Sequence, residues 1–378
     1  EDEEQYDIYN LINNSGGMIN FQGENSIGIQ IYAPYDLNTN FAANVVVSNN
    51  TGGTIKMGGK KSYGMKWSSR VRNDSTMDNT GTINISGDGG TNNSLSSAMA
   101  VVENSSFTGA NAIRAYQGKV TNTGIINVSG GVGNTGMSLV INAADNITNT
   151  GTINVDSAAG KNNIGMRVDK GTVATDSSGV PEAKSTGTIN LSGDSSIGMI
   201  STEALATNTG TIKTTGTTPK NLIGMATQGG TINNTSDIKI DGESNIGMFN
   251  TSKGTTPGTA TNSGEITVGA SHIDTDKKKD RYAIGMAAGF TPNKEELLAG
   301  KTAYTGNIKN EGTINVTGTH SIGMYGTGKG TTVYNGTSKG STATINLKAN
   351  NTTGMYLDNE AYGYNYGTIK SVGSGLQA

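Results

Sequence analysis

NTSDIKIDGESNIGMFNTSKGT, residues 234–255, is the stretch of this sequence that decides the fold. It contains two short patterns of alternating apolar and polar residues, DIKI and NIGM, with Gly, Asn, Asp and Ser between them. Alternation with a period of two is typical of a strand with one buried face, and the intervening residue types are typical of turns. The stretch therefore predicts two strands, with room for a third, in a unit of just over 20 residues.

The first pattern recurs along nearly the whole chain as Asn-x-Gly-Thr-Ile-Asn-Val. Copies occur at residues 79–85, 122–128, 149–155, 185–191, 208–214, 234–240, 262–268, 310–316 and 365–371, with a degenerate copy at 342–347. Within it, Ile and the final Val point to one face of the predicted strand, and Thr and Asn point to the other.

The second pattern, Ser-Ile-Gly-Met, alternates with the first. It begins as SIGI at residues 26–29 and recurs up to Gly354 and Met355, and ten of the 13 methionines occupy its last position. The Gly-to-Gly step varies from 23 residues, between Gly224 and Gly247, to 38 residues, between Gly285 and Gly323. Regular phrases at irregular spacing indicate a repeated structural unit with loop insertions.

Strands this short become stable when each copy pairs with the copy in the next repeat, at a spacing of ~4.8 Å. Each Ile then stacks on the next Ile and each Met on the next Met, so that every coil buries its apolar face against its neighbours. The sequence therefore predicts an all-β fold, a parallel β-helix of about eleven coils. A solenoid of paired helices is disfavoured, because Gly, Thr and Asn are poor residues for helix interiors.

Glycine and asparagine have predicted roles in the coil. After Asn-x, we expect Gly to supply a turn conformation that other residues resist. In Ile-Gly-Met we expect it to mark a bend or a close approach of backbone. Two hypotheses remain for the recurrent Asn: a hydrogen-bonded ladder at a corner of the coil, or an Asn in a turn that faces solvent.

Composition supports an ordered protein outside the usual globular classes. The chain has 378 residues, 56 of them Gly, with 33% hydrophobic and 15% charged residues and a net charge of −3. Disordered chains need a larger net charge and fewer β-branched residues than this. The near-neutral charge also argues against nucleic acid as a partner, and the lack of cysteine excludes disulfides and thiolate metal sites.

The predicted domain organisation is an N-terminal cap or lead-in coil at residues 1–25, a repeat domain at 26–371 and a tail at 372–378. Insertions are expected near residues 270–283 and 289–310. Residues 293–300, NKEELLAG, have an Asn start, early Glu residues and a terminal Gly, which together predict a short helix.

The alternating NTGTINV and SIGM phrases, in a cysteine-free chain rich in Gly, Asn and Thr, resemble the passengers of large fusobacterial autotransporter adhesins. The resemblance spans roughly residues 26–371. It implies a right-handed β-helix, displayed outside the bacterial outer membrane by a C-terminal β-barrel, that binds host-cell receptors or glycans, or other bacteria. The chain ends in VGSGLQA, without long alternating strands, so we expect the anchoring barrel to lie beyond this chain. The repeats themselves are scaffold and assign no ligand contacts.

Loops on a rigid scaffold usually carry recognition, so the insertions are the first candidate sites. The loop at residues 270–283 mixes cationic and acidic side chains, and the last coil is rich in tyrosine, which can stack on sugars, anchor an interface or cap the end of the helix. We expect the two insertions, on either side of the phrase at residues 284–286, to form one raised patch. The predicted partner-binding residues are Lys277, Lys278, Lys279, Arg281, Tyr304, Tyr362, Tyr364 and Tyr366.

No catalytic, metal or cofactor site is expected. Acidic residues such as Asp237, Asp241 and Glu265 do not recur at one position of neighbouring repeats, and His272 and His320 fit surface positions. A cluster of carboxylates on one face of adjacent coils would instead favour a polysaccharide-degrading enzyme. The predicted function is therefore that of a monomeric, non-enzymatic adhesin segment on the bacterial cell surface. A β-helical polysaccharide-degrading enzyme and a structural spacer of a longer adhesin are the alternatives.

Overall fold

The computed structural model describes residues 8–31, 44–68, 75–87, 96–102, 118–157, 162–172, 179–216, 219–274, 276 and 280–372. Lys277, Lys278 and Lys279 lie outside the described residues, as do 1–7 of the predicted cap and 373–378 of the predicted tail. The chain divides into two compact units: unit 1 is Glu1–Thr188 and unit 2 is Ile189–Ala378.

Unit 1 consists of short parallel strands that follow one another around successive coils. They are β1 Ile8–Asn13, β2 Met18–Phe21, β3 Ile27–Ile31, β4 Asn44–Asn49, β5 Thr54–Met57, β6 Tyr63–Trp67, β7 Thr76–Asn79, β8 Thr82–Ile85, β9 Ser97–Val102, β10 Lys119–Asn122, β11 Ile125–Val128, β12 Thr135–Ile141, β13 Asn146–Asn149, β14 Thr152–Val155, β15 Ile164–Lys170 and β16 Glu182–Ser185. The next strand, β17 Thr188–Leu191, contains the unit boundary.

Unit 2 repeats the same arrangement and adds one helix. Its strands are β18 Ile197–Thr202, β19 Leu205–Asn208, β20 Thr211–Thr214, β21 Ile223–Gln228, β22 Thr231–Asn234, β23 Asp237–Glu243, β24 Ile246–Thr251, β25 Thr259–Asn262, β26 Glu265–Ala270, β27 Ile284–Ala288, β28 Asn307–Asn310, β29 Thr313–Val316, β30 Ile322–Thr327, β31 Thr332–Asn335, β32 Thr344–Leu347, β33 Thr353–Asp358, β34 Tyr362–Asn365 and β35 Thr368–Ser371. The helix is α1 Lys294–Leu298.

In each unit every third strand pairs in parallel, which gives three sheets. In unit 1 the orders are β1-β4-β7-β10-β13-β16 for sheet A, β2-β5-β8-β11-β14 for sheet B and β3-β6-β9-β12-β15 for sheet C. In unit 2 the orders are β19-β22-β25-β28-β31-β34 for sheet A, β20-β23-β26-β29-β32-β35 for sheet B and β18-β21-β24-β27-β30-β33 for sheet C. The fold is a right-handed parallel β-helix, as predicted.

The core follows the predicted columns. Ile126 pairs in register with Ile153, and Ile238 with Ile266, and all four side chains are completely buried. The Met column of sheet C is buried in the same way from Met65 to Met324, although Met355 is only half-buried. Burying one such side chain contributes about 1.5–3 kcal/mol, so a narrow coil acquires its stability from one or two large residues per strand.

The glycine of Ile-Gly-Met interrupts the regular alternation of side chains along the strands of sheet C. The Ile before it and the Met after it, which would share a face in a regular strand, therefore lie on opposite faces. Met248 is fully buried, whereas Ile246 is half-buried and packs with Ile284 and Ile322 in an apolar cluster on the outside of the coil. A Cβ on Gly247 would lie 2.4 Å from the carbonyl oxygen of Gly285 and 2.5 Å from Cγ2 of the buried Ile266. The predicted close approach of backbone is therefore confirmed, and it places Ile and Met on opposite faces.

The recurrent asparagine forms a buried ladder in both units. In unit 1, each Nδ2 donates to Oδ1 of the next coil's Asn at 2.7–2.8 Å, and Asn149 donates to Oγ of Ser185 at 3.2 Å. In unit 2 the ladder runs from Asn208 through Asn234, Asn262, Asn310 and Asn335 to Asn365 at 2.8–2.9 Å. The ladder hypothesis is confirmed, and the hypothesis of a solvent-facing turn is wrong.

The expectation for the Asn-x-Gly glycine needs correction. Gly124 and Gly312 are not among the residues with positive φ. A Cβ there would instead lie 2.3 Å from the carbonyl oxygen of Gly81 and 2.1 Å from that of Gly264, respectively. The small side chain is thus required because the coils approach closely at this corner. Left-handed residues lie at a different corner, before sheet C, as Asn221, Ser244, His320 and Asn351, with φ of 57°, 63°, 60° and 56°.

The two predicted insertions leave β27 at its opposite ends. In the first, His272 and Arg281 form an antiparallel bridge. The second contains the predicted short helix, α1, whose N-cap Asn293 forms a capping box with Glu296. The single raised patch expected from their proximity in sequence stays a prediction. No helix in the described ranges is long and apolar enough to cross a membrane.

Candidate functional site

A groove of about 820 Å³ runs along sheet C of unit 2. Its lining contains Ile223, Ile246, Ile284 and Ile322, the outward residues of four successive coils. At a coil spacing of ~4.8 Å, this column forms an aliphatic floor about 15 Å long. The volume of the groove and the apolar composition of its floor fit those of ligand-binding sites, which are mostly apolar with a few polar groups.

The insertion at residues 270–283 supplies part of the groove. Arg281 and Tyr282 line it and are exposed. The carbonyl oxygen of Arg281 accepts a hydrogen bond from Oγ of Ser244, and the backbone bridge to His272 holds the base of the loop. The pKa of the Tyr282 phenol is raised by desolvation and by the negative charge of Asp280.

Two stacked tyrosines and one carboxylate line the far side of the strands. Tyr325 of β30 pairs in register with Tyr356 of β33, and their rings are parallel to within 10°, with centroids 5.9 Å apart. Asp358 lies at the end of β33 and is exposed. Burial raises the pKa of the Tyr325 phenol, and the charge of Asp358 adds to that effect. The charge of Tyr356 also contributes to the raised pKa of the Tyr282 phenol.

The near side is a row of polar corner residues. Asn221, Ser244, His320 and Asn351 are the left-handed residues that precede sheet C in their coils, and all four line the groove. Nε2 of His320 lies 3.3 Å from Nδ2 of Asn351. The groove thus combines an aliphatic floor with polar groups along one side and tyrosines along the other.

The aliphatic floor is a property of unit 2 rather than of the fold. In sheet C of unit 1, three successive coils place Tyr63, Ser97 and Thr135 in register at the corresponding position. Because the coil accommodates these polar residues, the unbroken isoleucine column in unit 2 is not required for folding.

The predicted partner-binding residues do not form one site. Arg281 lies in the groove, but Tyr304 belongs to the second insertion, where its backbone and ring pair with Phe290. Tyr362 and Tyr364 are in β34 of sheet A, Tyr366 follows that strand, and Tyr334 stacks on Tyr364 with centroids 4.8 Å apart. These exposed tyrosines form a second surface, on a different sheet from the groove.

The isoleucine column and Tyr325 were missed by sequence reasoning, whereas Tyr356 belongs to the tyrosine-rich last coil that the sequence indicated. Strict alternation places Ile and Met of one phrase on the same face, so that both are assigned to the core. The bend at glycine was the signal that could have revealed the outward column. Trp67, by contrast, is completely buried and belongs to the core.

Residues 11–179 and 218–368 match the family described as the BigA third pectate lyase-like domain, which covers more than half of the chain. This chain belongs to the family of the BigA third pectate lyase-like domain. No curated protein and no solved structure matches significantly.

Membership in the BigA domain family supports a bacterial surface β-helix protein. One matched segment lies in each unit. Every residue that lines the groove of unit 2 falls within the second matched segment. The fusobacterial affiliation stays a prediction.

Two groups of charged side chains in unit 2 contain carboxylates. Asp237 of β23 and Glu265 of β26 are in register on adjacent coils of sheet B. The expectation that acidic residues do not recur at one position of neighbouring repeats is therefore wrong for this pair, because each stands fourth in its copy of the phrase. Asp237 forms an ion pair with Lys239 at 2.9 Å, and the two carboxylates raise the pKa of that lysine. A second group lies beside the groove, where Glu243 contacts Lys220 at 3.2 Å and His272 at 2.9 Å. No group of three or more potential ligands for a metal ion occurs within the described ranges.

Proposed function

We propose that this chain is a passenger-type segment of a bacterial surface adhesin and that it binds a partner through the groove of unit 2. The observation that carries the proposal is the aliphatic floor, flanked by Tyr282, Tyr325 and Tyr356. Tyrosines around an apolar centre are typical of protein interaction sites. Family membership supports display at the bacterial surface, and the partner is a host-cell surface protein or glycan, or another bacterium.

The proposed mechanism is display without covalent chemistry. A β-helix holds its loops and outer faces on a rigid backbone, because every coil is hydrogen-bonded to the next. The groove is therefore largely formed before the partner arrives, which lowers the entropic cost of binding. Several such contacts along a longer chain would add avidity.

The test is binding of the fluorescently labelled chain to epithelial cells and to a glycan array. A variant with Tyr282→Ala and Tyr356→Ala removes both sides of the groove, and Tyr63→Ala, in sheet C of unit 1, is the matched control. We expect binding to fall about tenfold or more in the double variant, as for loss of an interface hot spot, and to persist in the control.

Two results would contradict the proposal. Equal binding by the double variant and the original chain would exclude the groove, and the insertion at residues 289–310 and the tyrosines of β34 would then be tested by replacement. No binding to any cell or glycan would favour the spacer alternative, in which this segment only extends a longer adhesin.

A further inference from the structure

We infer that the groove of unit 2 binds an extended polypeptide segment, with apolar side chains on the isoleucine floor and an acidic residue at Arg281. This inference deepens the proposed function and rests on it, because it assigns a ligand class to the same groove.

The floor selects apolar groups. Ile246, Ile284 and Ile322 present only aliphatic carbon, and Ile284 and Ile322 are just 8% exposed. A sugar hydroxyl placed on this floor would lose hydrogen bonds to water and gain none. An aliphatic or aromatic side chain would instead be stabilised there, because its apolar surface is removed from water. The floor therefore favours a polypeptide over a glycan.

The length of the groove fits an extended chain. Four coils at ~4.8 Å make a floor about 15 Å long, which four or five residues span at about 3.3 Å each. In an extended segment every second side chain points the same way, so about two or three apolar side chains would reach the floor together.

The polar row supplies partners for the backbone of such a segment. Asn221, Ser244, His320 and Asn351 lie along one side of the floor. Amide, hydroxyl and imidazole groups can each donate or accept a hydrogen bond. A peptide backbone, which has a donor and an acceptor in almost every residue, needs partners of this kind when it leaves water.

The charges set a preference for acidic ligands at one position. Arg281 lines the groove and is exposed, and it forms no ion pair with another residue of the described ranges. Its planar fork matches a carboxylate in two parallel hydrogen bonds. Asp358, on the other side, would in the same way favour a basic residue of the ligand.

The experiment is a selection from a display library of random heptapeptides on the full chain. Each selected peptide is then titrated, by fluorescence polarisation, against the original chain and the variant Ile284→Thr with Ile322→Thr. Threonine is chosen because Thr135 occupies the corresponding column of unit 1; far-UV circular dichroism and the melting temperature verify folding. A Tyr63→Thr variant is the matched control outside the groove.

We expect the selected peptides to combine apolar residues with at least one acidic residue. The double threonine variant should bind them at least tenfold more weakly, and the control should bind them equally. Arg281→Glu should weaken acidic peptides about tenfold, and peptides in which Lys replaces the acidic residue should regain binding to it. Such a charge swap would not result from a general loss of structure.

Failure of the inference is distinguishable from failure of the proposed function. If the library yields no peptide that depends on Ile284 and Ile322, the polypeptide assignment is wrong. Should oligosaccharides on the glycan array then bind in a groove-dependent manner, the groove is a glycan site and the adhesin proposal still stands. Peptide binding without any binding to cells would instead overturn the adhesin proposal alone.

Discussion

Nδ2 of Asn79 donates a hydrogen bond of 2.7 Å to Oδ1 of Asn122, one coil further along the chain. Asn122 in turn donates to Asn149 at 2.8 Å, and all three side chains are completely buried. Each amide is thus both donor and acceptor in a chain of hydrogen bonds that runs through the coils of unit 1. Because only one register satisfies every amide, the ladder fixes how successive coils align.

We predict that Asn122→Ala lowers the free energy of unfolding by about 2–3 kcal/mol, because it leaves two buried amide groups without their partners. The matched control is Asn127→Ala in the same coil. Asn127 also makes side-chain bonds of 2.8 Å to the coils on both sides, but it is half-buried and accessible to water. We expect its loss to cost about 0.5 kcal/mol. Urea denaturation followed by circular dichroism measures both, and equal shifts of the midpoint would refute the special role of the buried ladder.

Gly247→Ala should destabilise unit 2 by about 1–3 kcal/mol, because the added methyl group would overlap the backbone of the next coil and the buried Ile266. The control is Gly23→Ala, where the nearest heavy atom to the new Cβ is Oγ of Ser26 at 3.4 Å. Ala98 occupies the glycine position of its own coil, so the cost is expected to be moderate. Thermal melting checks the pair, and a stable Gly247→Ala variant would show that the coils can separate locally.

The sequence predicted those parts of the structure in which equivalent residues of successive coils contact each other. The columns of Ile126 and Ile153 and the methionine column follow from identical residues at identical positions. The asparagine ladder was one of two hypotheses left open by the sequence, because Asn is equally typical of turns that face solvent. It did not predict the outward Ile284, because the bend at Gly285 changes the alternation of the strand. Nor could it place Arg281 and Tyr282, since the position of an insertion depends on tertiary contacts that no repeat encodes.

Asp145 makes the stability of unit 1 dependent on pH. Burial raises the pKa of its carboxyl group to about 7, although a hydrogen bond from the backbone N–H of Asn146 partly opposes this. The folded chain therefore binds this proton more tightly than the unfolded chain, in which the pKa is about 3.9. Stability from this group is fully present below about pH 4 and is lost as the pH rises to about 7.

Asp145→Asn removes the charge and retains an oxygen that can accept the bond from Asn146. We predict that the free energy of unfolding rises by about 2 kcal/mol at pH 8 and is unchanged at pH 4. The value at pH 8 is half of what the full pKa shift implies, because solvent screens a partly exposed carboxylate. The exposed Asp156→Asn is the control. Melting temperatures between pH 4 and pH 8 test this, and parallel curves for Asp145→Asn and the original chain would refute it.

The register pair Asp237 and Glu265 provides a sharp test of the enzyme alternative. Two carboxylates on adjacent coils are the minimum that glycoside hydrolysis requires, with one acting as an acid and the other as a base or nucleophile. In this structure Lys239 pairs with Asp237 at 2.9 Å and both residues are substantially exposed. The Asp237 carboxylate is thus already engaged by a cation of its own strand.

We therefore predict that the chain releases no reducing ends and no unsaturated sugars from pectin, alginate or host glycosaminoglycans. The variants Asp237→Asn and Glu265→Gln should leave binding to cells unchanged, because both residues lie on sheet B and the groove lies on sheet C. Reducing-sugar assays and absorbance of unsaturated products measure the first expectation. Depolymerisation that disappears in Glu265→Gln would instead identify sheet B as an active site and replace the adhesin proposal with the enzyme alternative.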